Sequence, residues 1–378
     1  MKIKILFKII FSTIFITINI LAQPYYFDRG KLTDSASKFT LYNIEKINLS
    51  NGKTSIFLHN GGEDLIFDQT QTWIGIGWYD FYYIYNYSDT KNYFSVNPFD
   101  QILYSQRKKK IYLFCWNSNF INKQLAVYDV SEQPRSKQSK NQSPNTRIKQ
   151  TASDKEFNPG IIDRKKIALL NLPINSNIWS EAFFSFDENT IYFTKKDSAY
   201  GAEKIDNTMV EYYSTTNNQI SPGPKLSSIG YPNADGYDLY KGRQGRGIIK
   251  SFIKNQTKDR YFNIYDFDNN ISSNFIFHQG FAEPFISEDN KFLLLAEQGF
   301  EISGGGGHYY NTGVLKIYDV ANNSLIKTLN FPTRGTFFMS DSYPANIYYI
   351  GPYKNRYIRS INIDSVVQQS VQPVPSGK

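Results

Sequence analysis

The sequence predicts an all-β protein built as a β-propeller, with seven blades as the favoured number and six or eight as alternatives. Patterns with the helical period are almost absent after residue 22, whereas short runs rich in β-branched and aromatic residues dominate. A hairpin unit recurs along the chain, and so does a strand that ends in polar turn residues. Repeats of about 40 to 50 residues, each a small antiparallel sheet, are typical of propellers.

The composition excludes several classes of protein. The 378 residues include 29 Phe, 29 Tyr and 4 Trp, which is too aromatic for a disordered chain. A single Cys excludes a disulfide framework and a Cys-based zinc or iron–sulfur site, and three scattered His argue against a multi-His metal centre. The lone Cys115 lies in the apolar run 111–116 and is predicted to be a buried, unreactive thiol. We therefore predict no metal and no cofactor.

The first 22 residues are typical of an export signal. Lys2, Lys4 and Lys8 form a positive start, and an almost wholly apolar run from Ile9 to Ala22 follows. The run is short for a bilayer span of roughly 20 residues. We expect cleavage after Ala22 and a secreted or periplasmic protein, with an uncleaved N-terminal anchor as the alternative. No Cys follows the run, which excludes a bacterial lipoprotein anchor, and no transmembrane segment is predicted later in the chain.

Two gapless copies define the hairpin unit. EAFFSFDENTIYF spans residues 181–193, and EPFISEDNKFLLL spans residues 283–295. Each copy has an acidic residue, an apolar strand, a Ser-x-Asp turn and a second apolar strand. Short polar side chains of this kind bond the local backbone and tolerate turn dihedrals, so the pattern predicts a tight hairpin. Looser copies occupy residues 104–114 and 338–350.

The second recurring piece gives the number of blades. Its seven copies start 40 to 53 residues apart, except for one spacing of 85 that contains an insertion. The copies span residues 41–53, 81–92, 124–132, 209–219, 261–270, 314–324 and 357–365. Each blade of a propeller buries its faces against its neighbours, and the ring limits exposed strand edges. An irregular pair of β-sandwiches is the alternative architecture.

Two parts of the chain resemble known repeats. The run SEAFFSFDENTIYFTKKD (180–197) resembles the repeat of TolB-like β-propellers, whose hairpin typically reads Ser-Pro-Asp-Gly-Lys before an apolar strand. VLKIYDVANNSLIKTL (314–329) resembles the outer strand of surface-layer and lactonase-type propeller repeats. The Pro and Gly of the typical turn are replaced here, by Phe186, Glu288, Glu188 and Asn290. The resemblance implies the fold and carries over no catalytic residue, because the matching positions lie in turns and core.

The repeats predict one propeller domain over residues 23–365 and a C-terminal tail, 366–378, in which Val366–Val371 could add a strand. The widest spacing contains an insertion at 132–160 that is rich in polar and basic residues and is predicted to be a disordered loop. An arm that touches an anionic polymer is the alternative. No aromatic residues alternate with its charges, so no specific nucleic-acid partner is predicted.

Three groups of residues are candidates for function. The aromatic segment 72–87 holds Trp73 and Trp78, which could stack on sugar rings, although packing between blades explains them better. The segment 299–313 combines four glycines at 304–307 with His308, Tyr309 and Tyr310. It could be a loop that carries ligand-binding side chains, although a long interstrand loop without such a role explains it better. Asp100, Glu181 and Glu283 precede three hairpins and could ring the entrance of a central channel or equally cap turns.

No catalytic motif is present, so the sequence favours a binding function over an enzymatic one. We predict an exported interaction module of the bacterial cell envelope or extracellular space that binds an envelope protein or a glycan through loops on a rigid ring. The alternative is a propeller hydrolase or lyase that acts on a polysaccharide or lactone. In that case catalytic carboxylates would face the channel.

Overall fold

The computed structural model describes most of the chain after residue 24. The described residues are 25–34, 41–62, 64–68, 70, 72–78, 81–89, 92–116, 123–131, 164, 166–172, 181–196, 208–243, 245–255, 257–303, 306–339, 345–352 and 357–371. The predicted signal peptide, the insertion at 132–160 and residues 372–378 lie outside them.

Seven antiparallel sheets, in chain order, form the seven blades of a β-propeller. Blade 1 contains β1 (Tyr25–Asp34), β2 (Leu41–Asn48) and β3 (Thr54–Gly61). Blade 2 contains β4 (Asp64–Phe67), β5 (Trp73–Trp78), β6 (Phe81–Asn86) and β7 (Tyr93–Val96). Blade 3 contains β8 (Phe99–Ser105), β9 (Lys110–Trp116), β10 (Lys123–Asp129) and β11 (Lys166–Asn171). Blade 4 contains β12 (Phe183–Phe184), β13 (Thr190–Lys196), β14 (Thr208–Ser214) and β15 (Ile220–Lys225). Blade 5 contains β16 (Gly236–Lys241), β17 (Arg246–Phe252), β18 (Asp259–Asp266), β19 (Ile271–Ser272) and β20 (Ile276–Gln279).

Blades 6 and 7 complete the series. Blade 6 contains β21 (Phe281–Ile286), β22 (Phe292–Ser303), β23 (Gly306–Asp319) and β24 (Ser324–Asn330). Blade 7 contains β25 (Thr336–Met339), β26 (Asn346–Ile350) and β27 (Ile358–Asn362). Within the described residues, two helices accompany the sheets: α1 (Leu226–Ile229), which leads into blade 5, and α2 (Ile363–Val371), which follows β27. The predicted fold class and the favoured blade number are confirmed.

The seven copies of the recurring strand fall one to a blade. They correspond to β2, β6, β10, β14, β18, β23 and β27. The hairpin copies correspond to the first two strands of blades 3, 4, 6 and 7. In blades 2, 3, 4 and 6 the first strand pairs only with the second, while the third strand of the blade carries the fourth.

The Ser-x-Asp turn forms through its own side chains. In blade 4, the Ser185 hydroxyl accepts a hydrogen bond from the Thr190 N–H (2.9 Å) and donates one to Asp187 (2.6 Å). In blade 6, Ser287 does the same with Phe292 and Asp289 (3.0 and 2.8 Å). The fourth residue of each turn, where the typical repeat has Gly, adopts a left-handed conformation, with φ of 58° at Glu188 and 60° at Asn290.

The core lies between neighbouring blades, where the facing sheets interdigitate their apolar side chains. One such cluster joins blades 3 and 4 around Tyr112 and Tyr213, both fully buried. Another joins Leu49 of blade 1 to Tyr348 and Ile350 of blade 7, and this contact between the two ends of the chain closes the ring. Because each blade buries its faces against two neighbours, the ring behaves as one continuous core.

Polar contacts also tie adjacent blades together at their turns. Asp268 of blade 5 accepts hydrogen bonds from the Phe186 N–H (3.1 Å) and the Tyr192 hydroxyl (2.5 Å) of blade 4. The Ser105 hydroxyl of blade 3 donates to the Glu188 carboxylate of blade 4. These hydrogen bonds add directional contacts to the apolar packing between adjacent blades.

The end of the chain departs from the sequence prediction. Residues 366–371 form the last part of α2 instead of a strand, and α2 packs against β24 and β27. Ile363, Val366 and Val367 recur with helical spacing and join the core between blades 6 and 7, which explains why a helix forms. Cys115 is buried and unpaired, as predicted. Among the described residues, the helices are too short and too polar to cross a bilayer.

Candidate functional site

The hairpin formed by β22 and β23 extends beyond the rest of blade 6. Its inner neighbour β21 pairs with β22 only as far as Gln298, and its outer neighbour β24 pairs with β23 only from Val314 onward. From Gly299 to the tip, the two strands pair with each other alone. The sequence predicted a loop here, and this is a correction: residues 299–303 and 306–310 form two paired strands, hereafter the blade 6 hairpin, and Gly306 and Gly307 belong to β23. Residues 304 and 305 lie outside the described residues.

Glycine allows the hairpin to carry large rings without steric conflict. A Cβ atom at Gly307 would lie 2.2 Å from the ring of Phe300, and one at Gly299 would lie 2.3 Å from the ring of Tyr310. Each ring therefore lies flat across the opposite strand, over a residue that has no side chain. Larger residues at these two positions would push the rings out of place.

One face of the blade 6 hairpin is apolar and open to solvent. Phe300 and Tyr309 are direct cross-strand partners, and Ile302 continues the same face because alternate residues share a side. Their exposures are 44%, 56% and 80%, respectively. Phe281 of β21 completes an aromatic trio (Phe281, Phe300, Tyr309), with its ring 4.9 Å from that of Tyr309, which in turn is 5.1 Å from Phe300.

Two cations of blade 5 lie against this aromatic trio. The Lys258 ammonium is 4.8 Å from the centre of the Phe281 ring and 6.0 Å from that of Phe300. The Arg260 guanidinium lies 4.9 Å from Phe281 and 5.4 Å from Phe252. Positive charge over a ring face is attractive, so the rings hold both cations in place. The sequence analysis missed both cations, since they precede the hairpin by about 40 residues.

The opposite face of the hairpin is polar. His308 is the cross-strand partner of Glu301, and both belong to this side. Arg334, in the connection from β24 to β25, donates two hydrogen bonds to the Glu301 carboxylate (3.1 and 2.8 Å) and lies 4.9 Å from the centre of the Tyr310 ring. Arg334 lowers the pKa of Glu301 below its usual range. The three residues singled out from the sequence are therefore divided: Tyr309 faces blade 5, whereas His308 and Tyr310 face blade 7.

The channel candidates Glu181 and Glu283 occupy equivalent positions. Each lies four residues before the Ser of its turn, Ser185 or Ser287, on the first strand of its blade or just before it. Burial raises the pKa of Glu283 to about 7, and the charge of Glu181 adds to the effect. Glu181 accepts a hydrogen bond from the Lys241 N–H (2.7 Å), which links blade 4 to blade 5.

Asp100 does not belong with this pair. It forms an ion pair with the buried Lys123 of its own blade. The position equivalent to Glu181 and Glu283 is held in blade 3 by Gln101, which accepts a hydrogen bond from the Ala182 N–H (2.9 Å). The structure thus places two carboxylates at matching positions in blades 4 and 6, and an amide in blade 3.

Trp73 is a core residue, so its place among the ligand-binding candidates is corrected. It is 3% exposed and packs edge-on against Phe94 and Tyr104, with ring centres 6.2 and 6.1 Å away. Arg164 covers it at 5.7 Å. Trp78 ends β5, and its side chain lies outside the described residues. Within those residues no group of three or more His, Cys, Asp or Glu side chains is placed to hold a metal ion.

No family model matches the sequence, and no curated protein matches it. Among solved structures, the chain is similar to hydrazine synthase from Kuenenia stuttgartiensis, with 8% identity and a TM-score of 0.50 over 85% of this chain and 90% of that one. It is also similar to oligogalacturonate lyase from Vibrio parahaemolyticus, with 9% identity and a TM-score of 0.48 over 88% of this chain and 96% of that one. A third similar structure is Hsv2 from Kluyveromyces lactis, with 10% identity and a TM-score of 0.46 over 83% of this chain and 78% of that one. At such low identity the similarity concerns the propeller fold alone.

Proposed function

We propose that the chain is an exported β-propeller that binds a cell-envelope protein or a glycan through the blade 6 hairpin. The export signal predicted from residues 1–22 supports the location. The observation that carries the binding role is the hairpin itself, because it holds Phe300, Ile302 and Tyr309 in solvent beyond the flanking strands.

Exposed apolar groups of this size are informative when they cluster. Single exposed hydrophobic residues are common, whereas grouped ones on a projecting element mark contact sites. The rings on the hairpin are rigid and present flat surfaces, so binding would order few additional side chains. On the other face, the Arg334–Glu301 pair joins the hairpin to the connection from β24 to β25.

A second candidate function is cleavage of a polysaccharide or lactone in the central channel, by hydrolysis or by a lyase reaction. The raised pKa of Glu283 is the observation that favours it. A carboxyl with a pKa of about 7 exists in both protonation states near neutral pH and can act as a general acid or base. In this case Glu283 would exchange the proton and Glu181 would supply the neighbouring negative charge. The catalytic role would then lie in the channel, away from the hairpin.

Two sets of variants distinguish these functions. Binding of the mature chain to isolated envelope fractions and to a glycan panel should fall at least tenfold in the Phe300→Ala/Tyr309→Ala double variant, and likewise in Ile302→Ser. Ile271→Ser is the matched control, because Ile271 is 63% exposed on the outer strand β19 of blade 5. Unchanged binding in the hairpin variants would overturn the proposal. Polysaccharide cleavage that disappears in Glu283→Gln, with binding retained, would instead establish the second function.

A further inference from the structure

Basic side chains of blade 5 adjoin the aromatic trio at the packing surface between blades 5 and 6. Arg260 on β18 and His278 on β20 are direct cross-strand partners, so their side chains lie on the same face of the sheet. Phe262 and Ile276 continue this face into the core shared with blade 6. Lys258 lies two residues before Arg260 and stacks on the same ring, Phe281. We call Lys258, Arg260 and His278 the cationic cleft.

The cations of the cleft have no carboxylate in contact. Among the described residues, no Asp or Glu oxygen lies within ion-pair distance of Lys258 or Arg260, and the Arg260 side chain donates to the carbonyl of Asp259 (2.9 Å). Arg260 is nevertheless only 8% exposed. A buried charge is costly unless an opposite charge or several hydrogen bonds compensate it. Neighbouring aromatic rings compensate part of that cost, and an anion would compensate more.

His278 is a second, independent sign of an incomplete site. It is 2% exposed, and neither of its ring nitrogens has a hydrogen-bond partner among the described residues. Buried polar groups are nearly always paired, so two unpaired nitrogens on one ring call for an explanation. Burial lowers the pKa of His278 to about 4, so near neutral pH the ring is uncharged and carries one N–H that can donate.

The charges of blade 6 that face His278 leave the cleft positive. Lys316 and Glu297 form an ion pair (2.6 Å), and both act on His278 together with Arg260. Glu297 is therefore already neutralised by Lys316. Asp238 and Asp259 attract Arg260 only from beyond ion-pair distance, and Asp238 is itself paired with Lys250 (2.9 Å). The cleft offers two positive charges and an unused N–H donor next to a solvent-exposed aromatic face.

The geometry points to a carboxylated sugar as the ligand: the carboxylate lies against Lys258 and Arg260, within reach of His278, and the sugar ring stacks on the aromatic trio. This inference rests on the glycan form of the proposed function and narrows it to acidic glycans built from uronic acids. A neutral glycan would use the rings and leave the cations unpaired. A phosphate group would use the cations and leave Phe300 and Tyr309 exposed.

The three histidines of the chain provide a direct probe of this site. With ¹³C-labelled histidine the mature protein gives three ring signals, from His278 in the cleft, His308 on the hairpin and His59 on β3 of blade 1. We would titrate alginate hexamer, a uronic acid oligomer, and in parallel the same hexamer with its carboxyl groups reduced to alcohols. Inorganic phosphate and anionic lipid vesicles are the comparison probes.

The expected result is a saturable shift of the His278 signal with alginate hexamer, with His59 unmoved and no shift from the carboxyl-reduced hexamer. Lys258→Gln should weaken alginate binding about tenfold through loss of one charge-assisted contact. Lys254→Gln, at another exposed lysine of blade 5, is the matched control and should leave binding unchanged. Lys258 is also exposed, so neither variant should disturb folding.

Several outcomes would overturn the inference, and they are distinguishable from failure of the proposed function. Equal shifts from both hexamers would refute a carboxylate site while leaving glycan binding intact. A His278 shift with phosphate or vesicles but not with alginate would assign the cleft to phosphate or to lipid head groups. No shift of His278 with any probe, although the hairpin variants still abolish binding to envelope fractions, would place the ligand on the hairpin alone. If neither the hairpin variants nor Lys258→Gln lose binding, both proposals are refuted.

Discussion

Replacing Glu283 by Gln should change the pH dependence of folding stability in a defined direction. The folded-state pKa of about 7 lies above the ordinary value of 4.5 because burial penalises the ionised form. A carboxyl whose pKa is raised on folding contributes most to stability below pH 4.5, and this contribution is lost as the pH rises toward and through 7. The wild-type chain should therefore lose stability between pH 5 and pH 8.

The size of the effect follows from the two pKa values. Between pH 5 and pH 8, the linkage relation gives a loss of about 2 to 3 kcal/mol for a single carboxyl whose pKa is shifted from 4.5 to about 7. Glu283→Gln keeps the shape of the side chain and cannot ionise. Its free energy of unfolding, relative to wild type, should thus be higher at pH 8 than at pH 5 by about 2 to 3 kcal/mol.

Urea unfolding at the two pH values, followed by tryptophan fluorescence, measures this difference. Glu288→Gln is the matched control, since Glu288 lies in the exposed turn of the same blade. Glu181→Gln should reduce the pH dependence in part, because the Glu181 charge contributes to the raised pKa of Glu283. If Glu283→Gln and wild type respond to pH within about 0.5 kcal/mol of each other, Glu283 is solvated and has no unusual protonation state to offer a substrate.

Three further predictions concern the scaffold. Trp73→Ala should lower the free energy of unfolding by about 3 to 5 kcal/mol, because the side chain is 3% exposed between blades, and calorimetry should show the loss. Asp268→Ala should lower the free energy of unfolding by about 1 to 3 kcal/mol, because the Tyr192 hydroxyl and the Phe186 N–H lose their acceptor. A melting temperature equal to that of wild type would show that these hydrogen bonds between blades do not stabilise the fold. Burial raises the pKa of Cys115 to about 11, so iodoacetamide should label the thiol only after unfolding, and rapid labelling of the native chain would contradict its burial.

The fold was accessible from the sequence because its signals are local. A Ser-x-Asp turn closes through hydrogen bonds within six residues, as Ser185 and Ser287 show. Each copy of the repeat therefore contains the residues that stabilise its own hairpin. The seven strands that end in polar turns also recur with a spacing that follows from the size of one blade. These features survive the loss of the Pro and Gly of the typical repeat, since Glu188 and Asn290 adopt the left-handed conformation themselves.

Two local features were ambiguous for physical reasons. A run of glycines permits almost any backbone path, and in the blade 6 hairpin it makes room for rings on the opposite strand, as at Gly307 beneath Phe300. The run from Val366 to Val371 is too short for its periodicity to separate helix from strand. Packing of Val366 and Val367 into the core between blades 6 and 7 decides for the helix.

The candidate site was only partly accessible. Tyr309 was found because it adjoins an unusual glycine run, but strand alternation, which puts His308 and Tyr310 on the other face, became visible only with the register of β22 and β23. Lys258, Arg260 and His278 give no signal in the sequence, since each is an ordinary residue of a different strand or turn. Only the packing of blade 5 against blade 6 brings them together beside Phe281.

Hydrogen–deuterium exchange of the mature chain, with and without alginate hexamer, would locate the ligand most directly. Binding at the hairpin and the cationic cleft predicts slower exchange in residues 299–310 and 258–262, with the other blades unchanged. Protection confined to the first strands of blades 4 and 6, around Glu181 and Glu283, would contradict this placement and assign the ligand to the central channel.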